Sequence, residues 1–326
     1  MQSWADVFGR FSKLRVLIIG DVMIDAYIWG VVERISPEAP VPVIHVTRRD
    51  WRLGGAANVA LNVLSLGATP VLCALAAPDE NGKRLMQLLK EKNLSQEGIV
   101  MSSIRPTTVK ERVIAAHQHV VRIDDESDQV ATAAESKDLL ARVTQLIGQC
   151  DVVIFEDYDK GVITPELIAS TVQLANARNI PVVVDPKKRN FLHYKGVTLF
   201  KPNVKEMREG LKIDLDPRDL GSIRSAVQQL KHRMDVEGVM LTMSEHGVYI
   251  DHDGVEQLLP AHKREIADVS GAGDTVVSIA ALCVALKLPA KEVAYLSNLG
   301  GGLVCQHVGV VPIDRKELLD EAMAAS

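Results

Sequence analysis

Short, nearly all-apolar runs alternate with longer helical patterns along most of the chain. Residues 14–20 form one such run, which is typical of a central strand buried on both faces of a sheet. Further strand-like runs lie at 70–76, 151–155, 181–185 and 197–201, and helical patterns accompany them at 81–93, 135–147 and 165–178. Repeated units of this length predict an α/β fold with a doubly wound, mostly parallel sheet flanked by helices.

Two regions depart from this pattern and predict a small β lid. Residues 36–46 contain three prolines within six positions, and since proline removes a ladder donor, this segment favours an edge strand or projecting flap. Polar and apolar residues partly alternate over 107–114 and 119–124, as in a half-exposed hairpin. We therefore expect segments of about 33–48 and 105–124 to form a lid inserted into a single domain of residues 1–326. His117 and His119 are interpreted as solvated lid residues.

Composition narrows the class of protein. The net charge of −5 and the pI near 6.0 argue against a nucleic-acid partner, which would need a basic surface. The four cysteines are widely spaced and predict reduced, buried thiols. The uncharged run 275–286 is shorter than the roughly 20 residues that span a bilayer. These features, with no cationic and apolar leader, predict a cytoplasmic protein without a membrane partner.

Residues 266–275 are typical of a loop that opens directly into a buried helix. Gly271, Ala272 and Gly273 precede Asp274 and a long apolar run. The first amides of a helix attract an anion, and glycine lets the backbone approach it closely. A carboxylate at Asp274 could then accept a proton from a hydroxyl that attacks that anion. A plain helix N-cap is the alternative.

Candidate ligand-binding residues also lie in two segments nearer the N-terminus, after the first strand and around residues 54–58. Asp21 and Asp25 follow the strand 14–20, where ligands of open α/β sheets bind, and could hold hydroxyl groups. A pair of turn-stabilising aspartates is the alternative. Gly54 and Gly55 would allow close approach of a ligand, and Asn58 offers both a donor and an acceptor.

These two stretches carry a family resemblance. Asp-Val-Ser-Gly-Ala-Gly-Asp-Thr at 268–275 and Gly-Gly-Ala-x-Asn-x-Ala at 54–60 resemble, in order, the two signatures of the ribokinase-like (PfkB) carbohydrate kinases. The resemblance extends over residues 14 to 313. It implies ATP-dependent phosphorylation of a sugar, with Asp274 as catalytic base and Gly271, Ala272 and Gly273 as the anion hole. It also implies that Asp21 contacts the acceptor sugar.

The same resemblance implies a nucleotide site in the C-terminal half. Asn-x-x-Glu at 203–206 would organise Mg²⁺ and phosphate, mostly through water, although a helix capping box is the alternative. The segment 238–250 is similar to the family's strand-turn along the nucleotide phosphates. K⁺ is a further ion that the family resemblance allows. The implied nucleotide-binding residues are Asn203, Glu206, Thr242, Ser244, Gly247 and Asn298, with Asn203 and Glu206 also assigned to Mg²⁺.

Several segments resemble a narrower group, the bacterial heptose 7-phosphate kinases of lipopolysaccharide core synthesis. These segments lie at 106–112, 118–124, 157–161 and 185–187. A phosphorylated acceptor needs cations at the end remote from the reacting hydroxyl. For Lys110 and Arg112, a solvated charged face is the alternative. The implied substrate residues here are Lys110, Arg112, Asp157, Lys160, Asp185 and Lys187. Glu156 departs from the group's pattern, in which a small hydroxyl residue is expected.

The resulting hypothesis is a kinase that converts D-glycero-D-manno-heptose 7-phosphate to the 1,7-bisphosphate for ADP-heptose synthesis. A kinase for fructose phosphate or ribose, or a non-catalytic sugar-sensing protein, is the alternative. No His-x-Gly-His of a fused nucleotidyltransferase occurs, so a separate protein would add the nucleotide. Because an open sheet edge tends to find a partner, we expect a homodimer formed through the lid.

Overall fold

Two β-sheets organise the part of the chain that the computed structural model describes, which is residues 3–115, 118–262 and 264–324. Its strands are β1 Arg15–Gly20, β2 Val22–Ile35, β3 Pro42–Gly55, β4 Thr69–Ala76, β5 Gly98–Met101, β6 Val109–Ala115, β7 Gln118–Asp125, β8 Val152–Glu156, β9 Val182–Asp185, β10 Leu199–Phe200, β11 Gly238–Thr242, β12 Val248–His252 and β13 Val255–Leu259. Its helices are α1 Trp4–Phe11, α2 Ala56–Ser65, α3 Glu80–Glu91, α4 Ala133–Ile147, α5 Pro165–Asn176, α6 Val204–Leu211, α7 Leu220–Met234, α8 Ala272–Ala285, α9 Ala290–Val304 and α10 Arg315–Ala324.

The larger sheet has the strand order β13-β12-β11-β10-β9-β8-β1-β4-β5. All pairs from β11 to β5 are parallel, and β12 is antiparallel to both of its neighbours. The central strands are runs of valine, isoleucine and leucine with no exposed face, as a parallel sheet covered on both sides requires. The predicted doubly wound, mostly parallel sheet is confirmed.

The two faces of this sheet form separate cores because side chains alternate along each strand. Ile18 and Ile154 pack on the face that α2, α8 and α9 cover, whereas Leu17 and Phe155 pack on the face of α4, α5 and α7. Helix α8 is buried almost all round from Asp274 to Val284, which explains its lack of an exposed polar stripe. The sheet therefore positions the first turn of α8 close to the ends of its central strands.

The smaller sheet has the order β3-β2-β6-β7. Its β2–β3 hairpin is longer than the lid segment expected from the prolines, since it reaches from Val22 to Gly55. The prolines occupy only the distal turn and the start of β3, so they mark the tip of the hairpin and not its base. At the base, Asp25 and Gly54 belong to this sheet. Residues 116 and 117, including His117, lie outside the described residues.

Some helix boundaries differ from the sequence pattern. The helical patterns at 81–93 and 165–178 correspond to α3 and α5, which end earlier, at Glu91 and Asn176. Helix α9 spans Ala290–Val304. In α9 the missing Cβ of Gly300 makes room for the Ile279 side chain of α8, so glycine here serves close helix packing. Helices α1, α7 and α10 were not predicted.

The four cysteines are free thiols, as the sequence pattern predicts. Three of them are buried as expected, whereas Cys305 is only half-buried. Among the described helices, none combines the length and the apolar character needed to cross a membrane.

Candidate active site

Asp274 lies in the first turn of α8 and is 2% exposed. Its Oδ2 accepts a hydrogen bond from Nδ2 of Asn58 at 2.7 Å, and its Oδ1 accepts one from the hydroxyl of Tyr158, also at 2.7 Å. Asn58 belongs to α2, and Tyr158 to the loop that follows β8. Three segments that are distant in the sequence therefore meet at one carboxylate.

Burial sets the protonation behaviour of this carboxylate. It raises the pKa of Asp274 to about 6, although the hydrogen bonds from Asn58 and Tyr158 act to lower the pKa, and the charge of Asp185 adds to the rise. A carboxylate with this pKa is mostly ionised at neutral pH, yet it binds a proton more readily than an exposed aspartate. Asp274 thus has the properties required of a general base.

The start of α8 presents bare backbone to the site. Gly271 is the N-cap residue and adopts the left-handed conformation, with φ of +81°; a Cβ there would lie 3.0 Å from Nδ2 of Asn58. A Cβ at Gly273 would lie 3.3 Å from Oδ2 of Asp185. The amide of Ala272 donates to the carbonyl of Val269 at 3.3 Å. The geometry and dipole of this helix end favour an anion.

Asp21 holds the loop that carries Tyr158. Its Oδ2 accepts from the backbone amides of Tyr158 at 2.8 Å and Lys160 at 3.1 Å, and its Oδ1 accepts from that of Val162 at 3.2 Å. Burial and the neighbouring Asp157 raise the pKa of Asp21 to about 6. Both oxygens of Asp21 are thus committed within the chain, which favours the turn-stabilising interpretation of this residue over a sugar contact.

Asp157 is also committed to its own chain. Its Oδ2 accepts from the hydroxyl of Tyr194 at 2.8 Å and from Nδ2 of Asn190 at 3.0 Å, and its Oδ1 accepts from the amide of Asp159. Tyr194 belongs to the core on the face of α4 and α5. The hydrogen bonds of Asp157 are therefore made to the loop and core around it, and none is made to Asp274.

Glu156 and Asp185 lie side by side, opposite each other in the register of β8 and β9. Glu156 is 1% exposed, and among the described residues neither of its side-chain oxygens has a hydrogen-bond partner. Oδ1 of Asp185 likewise has no hydrogen-bond partner among the described residues. Its Oδ2 lies 2.8 Å from Nζ of the buried Lys201. Burial, followed by the charges of Asp185 and Asp274, raises the pKa of Glu156 well above its ordinary value.

Asn203 and Glu206 form a capping box at the start of α6, as the alternative interpretation states. Oδ1 of Asn203 accepts from the amide of Glu206, and Oε2 of Glu206 accepts from the amide of Asn203, both at 2.9 Å. Oε1 of Glu206 accepts from Nζ of Lys187 at 2.6 Å. The carboxylate of Glu206 is therefore already engaged at both oxygens.

Glu156 and Asp185 offer further oxygens that suit Mg²⁺. Three buried carboxyl oxygens without partners among the described residues form a donor set of the kind that a hard divalent cation prefers. Within that part of the chain, no group of three or more His, Cys, Asp or Glu side chains is arranged to hold a metal. These residues fit an ion that keeps most of its water ligands.

Lys187 joins the acidic residues of this site. Its Nζ lies 2.6 Å from Glu206, 4.0 Å from Asp185 and 5.4 Å from the ring centre of Tyr158. Burial lowers the pKa of Lys187, but the charges of Asp185 and Glu206 outweigh burial and raise it. Lys187 is therefore a fixed positive charge beside the carboxylates.

On the smaller sheet, Asp25 forms an ion pair with Arg112, and both side chains are buried. Burial raises the pKa of Asp25 despite this pairing. A Cβ at Gly54 would overlap the Asp25 carboxylate, and Gly55 has φ of +59°, so both positions require glycine. Arg112 was predicted to bind phosphate, but in this structure its guanidinium is engaged by Asp25.

Lys110 and Lys160 share one carboxylate. Nζ of Lys110 lies 2.7 Å from Oε2 of Glu126, and Nζ of Lys160 lies 2.6 Å from Oε1 of the same residue. Lys110 also lies 3.4 Å from Asp124. The lysines therefore converge from the smaller sheet and from the loop after β8, as two phosphate ligands would, but around a residue of the chain itself.

The residues predicted to bind the nucleotide lie at one end of the larger sheet. Thr242 forms an isolated bridge with Asn203, and Gly247 has φ of +88° at the turn between β11 and β12. Ser244 opens that turn with φ of +49°. Asn298 donates to the carbonyl of Pro260 at 2.8 Å. The bridge connects the 242–247 turn to the start of α6.

Sequence reasoning did not assign three residues that the structure brings into this site: Tyr158, Lys201 and Glu126. Tyr158 belongs to the segment 157–161 that resembles the heptose 7-phosphate kinases, and its position after a central strand could have indicated its role. Lys201 ends an apolar run, where a buried lysine needs an acidic partner. Glu126 lies among several acidic residues at 124–128, and no local pattern distinguishes it from them.

Comparison with known proteins decides the family. Residues 13–316 match the family model described as pfkB family carbohydrate kinase. The chain belongs to this family. As a PfkB carbohydrate kinase it is a phosphotransferase that acts on a sugar, and membership implies the use of ATP and a divalent metal.

Similar proteins include two named bifunctional protein HldE. The one from Syntrophotalea carbinolica is 40% identical over 97% of this chain, and the one from Wolinella succinogenes is 38% identical over 95%. The chain spans 64–66% of the length of the curated relatives it matches. Among solved structures, phosphofructokinase-2 from Escherichia coli in complex with potassium has a TM-score of 0.78, covering 96% of this chain and 99% of its own at 17% identity.

The hydrogen bond from Tyr158 predicts a measurable change at Asp274 of this PfkB kinase. In Tyr158→Phe the pKa of Asp274 should rise above its value of about 6, because a bond that favours the ionised form is lost. Titration of the side-chain carboxyl by ¹³C NMR measures this pKa. Tyr295→Phe is the control, since that buried hydroxyl has no hydrogen-bond partner in the described residues. An unchanged pKa in Tyr158→Phe would contradict the contact.

Proposed function

We propose that this PfkB kinase phosphorylates the anomeric hydroxyl of D-glycero-D-manno-heptose 7-phosphate with ATP, giving the 1,7-bisphosphate for ADP-heptose and lipopolysaccharide core synthesis. The observation that carries this substrate is the half-buried pair Lys110 and Lys160, which converge on one anion-sized position. A neutral sugar would not need such a pair. The resemblance of several segments to heptose 7-phosphate kinases and the similarity to proteins named HldE support it.

In the proposed reaction Asp274 is the catalytic base. It accepts the proton of the anomeric hydroxyl on Oδ1 or Oδ2 while that hydroxyl attacks the γ-phosphorus of ATP. The bond from the γ-phosphorus to the β–γ bridging oxygen breaks, and ADP leaves. Asn58 and Tyr158 hold the carboxylate in place, and each of its oxygens keeps a lone pair for the proton. The amides of Gly271 and Gly273, joined by that of Ala272 once it leaves the carbonyl of Val269, stabilise the charge on the transferred phosphoryl oxygens.

The remaining predicted residues are proposed to frame the two substrates. Gly54, Gly55 and Asn58 would lie against the acceptor, with Asp25 held by Arg112 beside them. The turn 242–247 and Asn298 would contact the nucleotide. The smaller sheet would act as the lid that excludes water during transfer.

Glu156 and Asp185 would hold Mg²⁺, with Asn203 and Glu206 in reach only through water. When bound, Mg²⁺ supplies positive charge to the phosphate oxygens. K⁺ is proposed by analogy with the Escherichia coli phosphofructokinase-2 solved with potassium. Calorimetric titration of each ion into the wild type and Asp185→Asn checks the Mg²⁺ and the K⁺ assignments. Equal Mg²⁺ affinity in the two proteins would exclude Asp185 as a Mg²⁺ ligand. No heat with K⁺ would exclude a potassium site.

A homodimer through the smaller sheet is also proposed. All eight residues of the edge strand β7 are exposed, and large apolar side chains lie open on this sheet. An exposed apolar patch on an open sheet marks a contact surface. The exposed apolar residues include Val31, Val32, Ile35, Val46, Val121 and Ile123.

The acceptor assignment is tested by a panel of sugars. With ATP and Mg²⁺, we expect the highest kcat/KM on heptose 7-phosphate, and lower values on fructose 6-phosphate and ribose, because only a phosphate reaches the paired lysines. Coupled ADP release and identification of the product measure this. A preference for fructose 6-phosphate or ribose would replace the proposed substrate, and binding without any turnover would favour a sensing role.

Replacing Asp274 by asparagine should separate chemistry from folding. We expect kcat to fall by about 10²–10⁴ with little change in acceptor KM, as for loss of a general base. The folded pKa of about 6 lies above the ordinary value of 3.8, so ionisation of Asp274 lowers stability as pH rises through this window. The Tm of Asp274→Asn at neutral pH should therefore equal or exceed that of the wild type.

The same pKa, which belongs to the ligand-free protein, predicts that wild-type kcat/KM rises with pH through about 6. Asp138→Asn, on the exposed side of α4, is the control for loss of one carboxylate. Turnover of Asp274→Asn close to that of the control would remove Asp274 from the proposed mechanism.

The dimer is tested by sedimentation velocity. The wild type should sediment as a species of twice the 35.6 kDa mass of one chain. The double variant Val121→Asp/Ile123→Asp should sediment as a monomer, because charge is placed in the apolar contact. Leu258→Asp, an exposed position on β13 of the larger sheet, should remain dimeric. A wild-type monomer at assay concentration would exclude this proposal.

A further inference from the structure

Glu126 occupies the point at which two lysines of the smaller sheet and the adjoining loop converge. Its two oxygens contact one lysine each, Lys110 at 2.7 Å and Lys160 at 2.6 Å. The side chains of Lys110 and Lys160 are only 14% and 17% exposed, and that of Glu126 is 23% exposed. A single carboxylate thus bridges two partly desolvated cations, in the manner in which a phosphate group would bridge them.

The two lysines come from elements that are held independently of Glu126. Lys110 is on β6, whose backbone pairs with β2 and β7. The backbone of Lys160 is fixed by its amide, which donates to Asp21 at 3.1 Å. Glu126 follows the end of β7 and belongs to no helix or strand. The cations are therefore positioned by the fold, while the bridging carboxylate lies outside the helices and strands.

The local charge balance leaves the pair of lysines short of negative charge. Asp124 lies 3.4 Å from Lys110, but it also accepts two hydrogen bonds from Arg122 at 3.0 Å. Glu126 alone therefore serves both Lys110 and Lys160 at close range. One carboxylate against two lysines leaves a net positive site that a dianion could neutralise fully.

We propose that Glu126 is an affinity-determining residue, an internal carboxylate that occupies the acceptor's phosphate position and that the phosphate of a phosphorylated sugar must displace. This rests on the proposed function, since it takes Lys110 and Lys160 as the acceptor's phosphate ligands. A dianionic phosphate competes with Glu126 for both lysines, whereas a neutral sugar hydroxyl does not. Glu126 then turns to solvent, from which its side chain is not sealed.

This arrangement sets the affinity for phosphorylated acceptors through a built-in competitor, which also keeps weaker anions from the lysines. Every phosphorylated acceptor must displace Glu126, which weakens its binding, while the same carboxylate neutralises the lysines against weaker anions when no acceptor is present. Removing the negative charge at 126 should strengthen binding of every acceptor that carries a phosphate. It should leave unphosphorylated acceptors unaffected.

The test is Glu126→Gln, which keeps the shape of the side chain and removes its charge. Asp125→Asn is the matched control, since it removes one negative charge from the adjacent, exposed position. KM is measured for heptose 7-phosphate, fructose 6-phosphate and unphosphorylated D-glycero-D-manno-heptose. Inorganic phosphate is titrated into each protein by calorimetry as a probe that requires no turnover.

We expect Glu126→Gln to lower KM for the phosphorylated acceptors about three- to tenfold, as for the loss of a partly exposed ion pair that competes with the ligand. The affinity for inorganic phosphate should rise by a similar factor. KM for the unphosphorylated heptose and all values for Asp125→Asn should stay near those of the wild type.

A KM that is unchanged, or that rises for phosphorylated and unphosphorylated acceptors alike, would overturn the proposal and make Glu126 a tether of the smaller sheet. The two hypotheses fail separately. If heptose 7-phosphate is not phosphorylated but fructose 6-phosphate and inorganic phosphate still bind more tightly to Glu126→Gln, the substrate assignment fails and the role of Glu126 stands. If heptose 7-phosphate is the substrate and Glu126→Gln changes nothing, the reverse holds.

Discussion

The burial of one carboxylate at the first turn of α8 is the constraint on which the rest of the site depends. Asp274 is removed from water by the sheet and α2, and it stays usable as a base because Asn58 and Tyr158 each donate to it at 2.7 Å. Asp21 in turn fixes the loop of Tyr158 through three backbone amides. The strand ends, the loop after β8 and the helix start are therefore one unit, held together by hydrogen bonds to two buried aspartates.

This arrangement buries carboxyl groups where folding alone would not. Glu156, Asp185 and Asp274 are all at most 4% exposed, and Glu156 has no hydrogen-bond partner among the described residues to offset its burial. Buried polar groups without partners are costly, so such a cluster is better explained by ligands than by stability. The fixed charges of Lys187 and Lys201 limit the cost, since each lies within 2.8 Å of a carboxylate oxygen. The positive charge of a bound cation would complete the balance.

The sequence pattern was sufficient for the fold and for the residues that lie on rigid elements. Apolar runs located the central strands to within one or two residues, and the glycines before Asp274 marked the start of α8. The pattern was insufficient where tertiary partners decide a role. Asp21 and Asp25 look alike beside the first strand, yet one stabilises a loop and the other pairs with Arg112. Amphipathic helices such as α7 were missed because their polar residues mask a narrow apolar stripe.

The lysines show most clearly why a count of charges does not describe a site. Lys110, Arg112, Lys160 and Lys187 were predicted together as cations for the acceptor's phosphate, but in the structure each is paired with a carboxylate. Their pairs differ in how easily they can be exchanged. Arg112 and Asp25 are both buried, so separating them would leave a buried charge unpaired. Glu126 is partly exposed and lies outside the regular elements, so Lys110 and Lys160 can change partner at low cost. An incoming anion would therefore bind at Lys110 and Lys160, where Glu126 is able to leave.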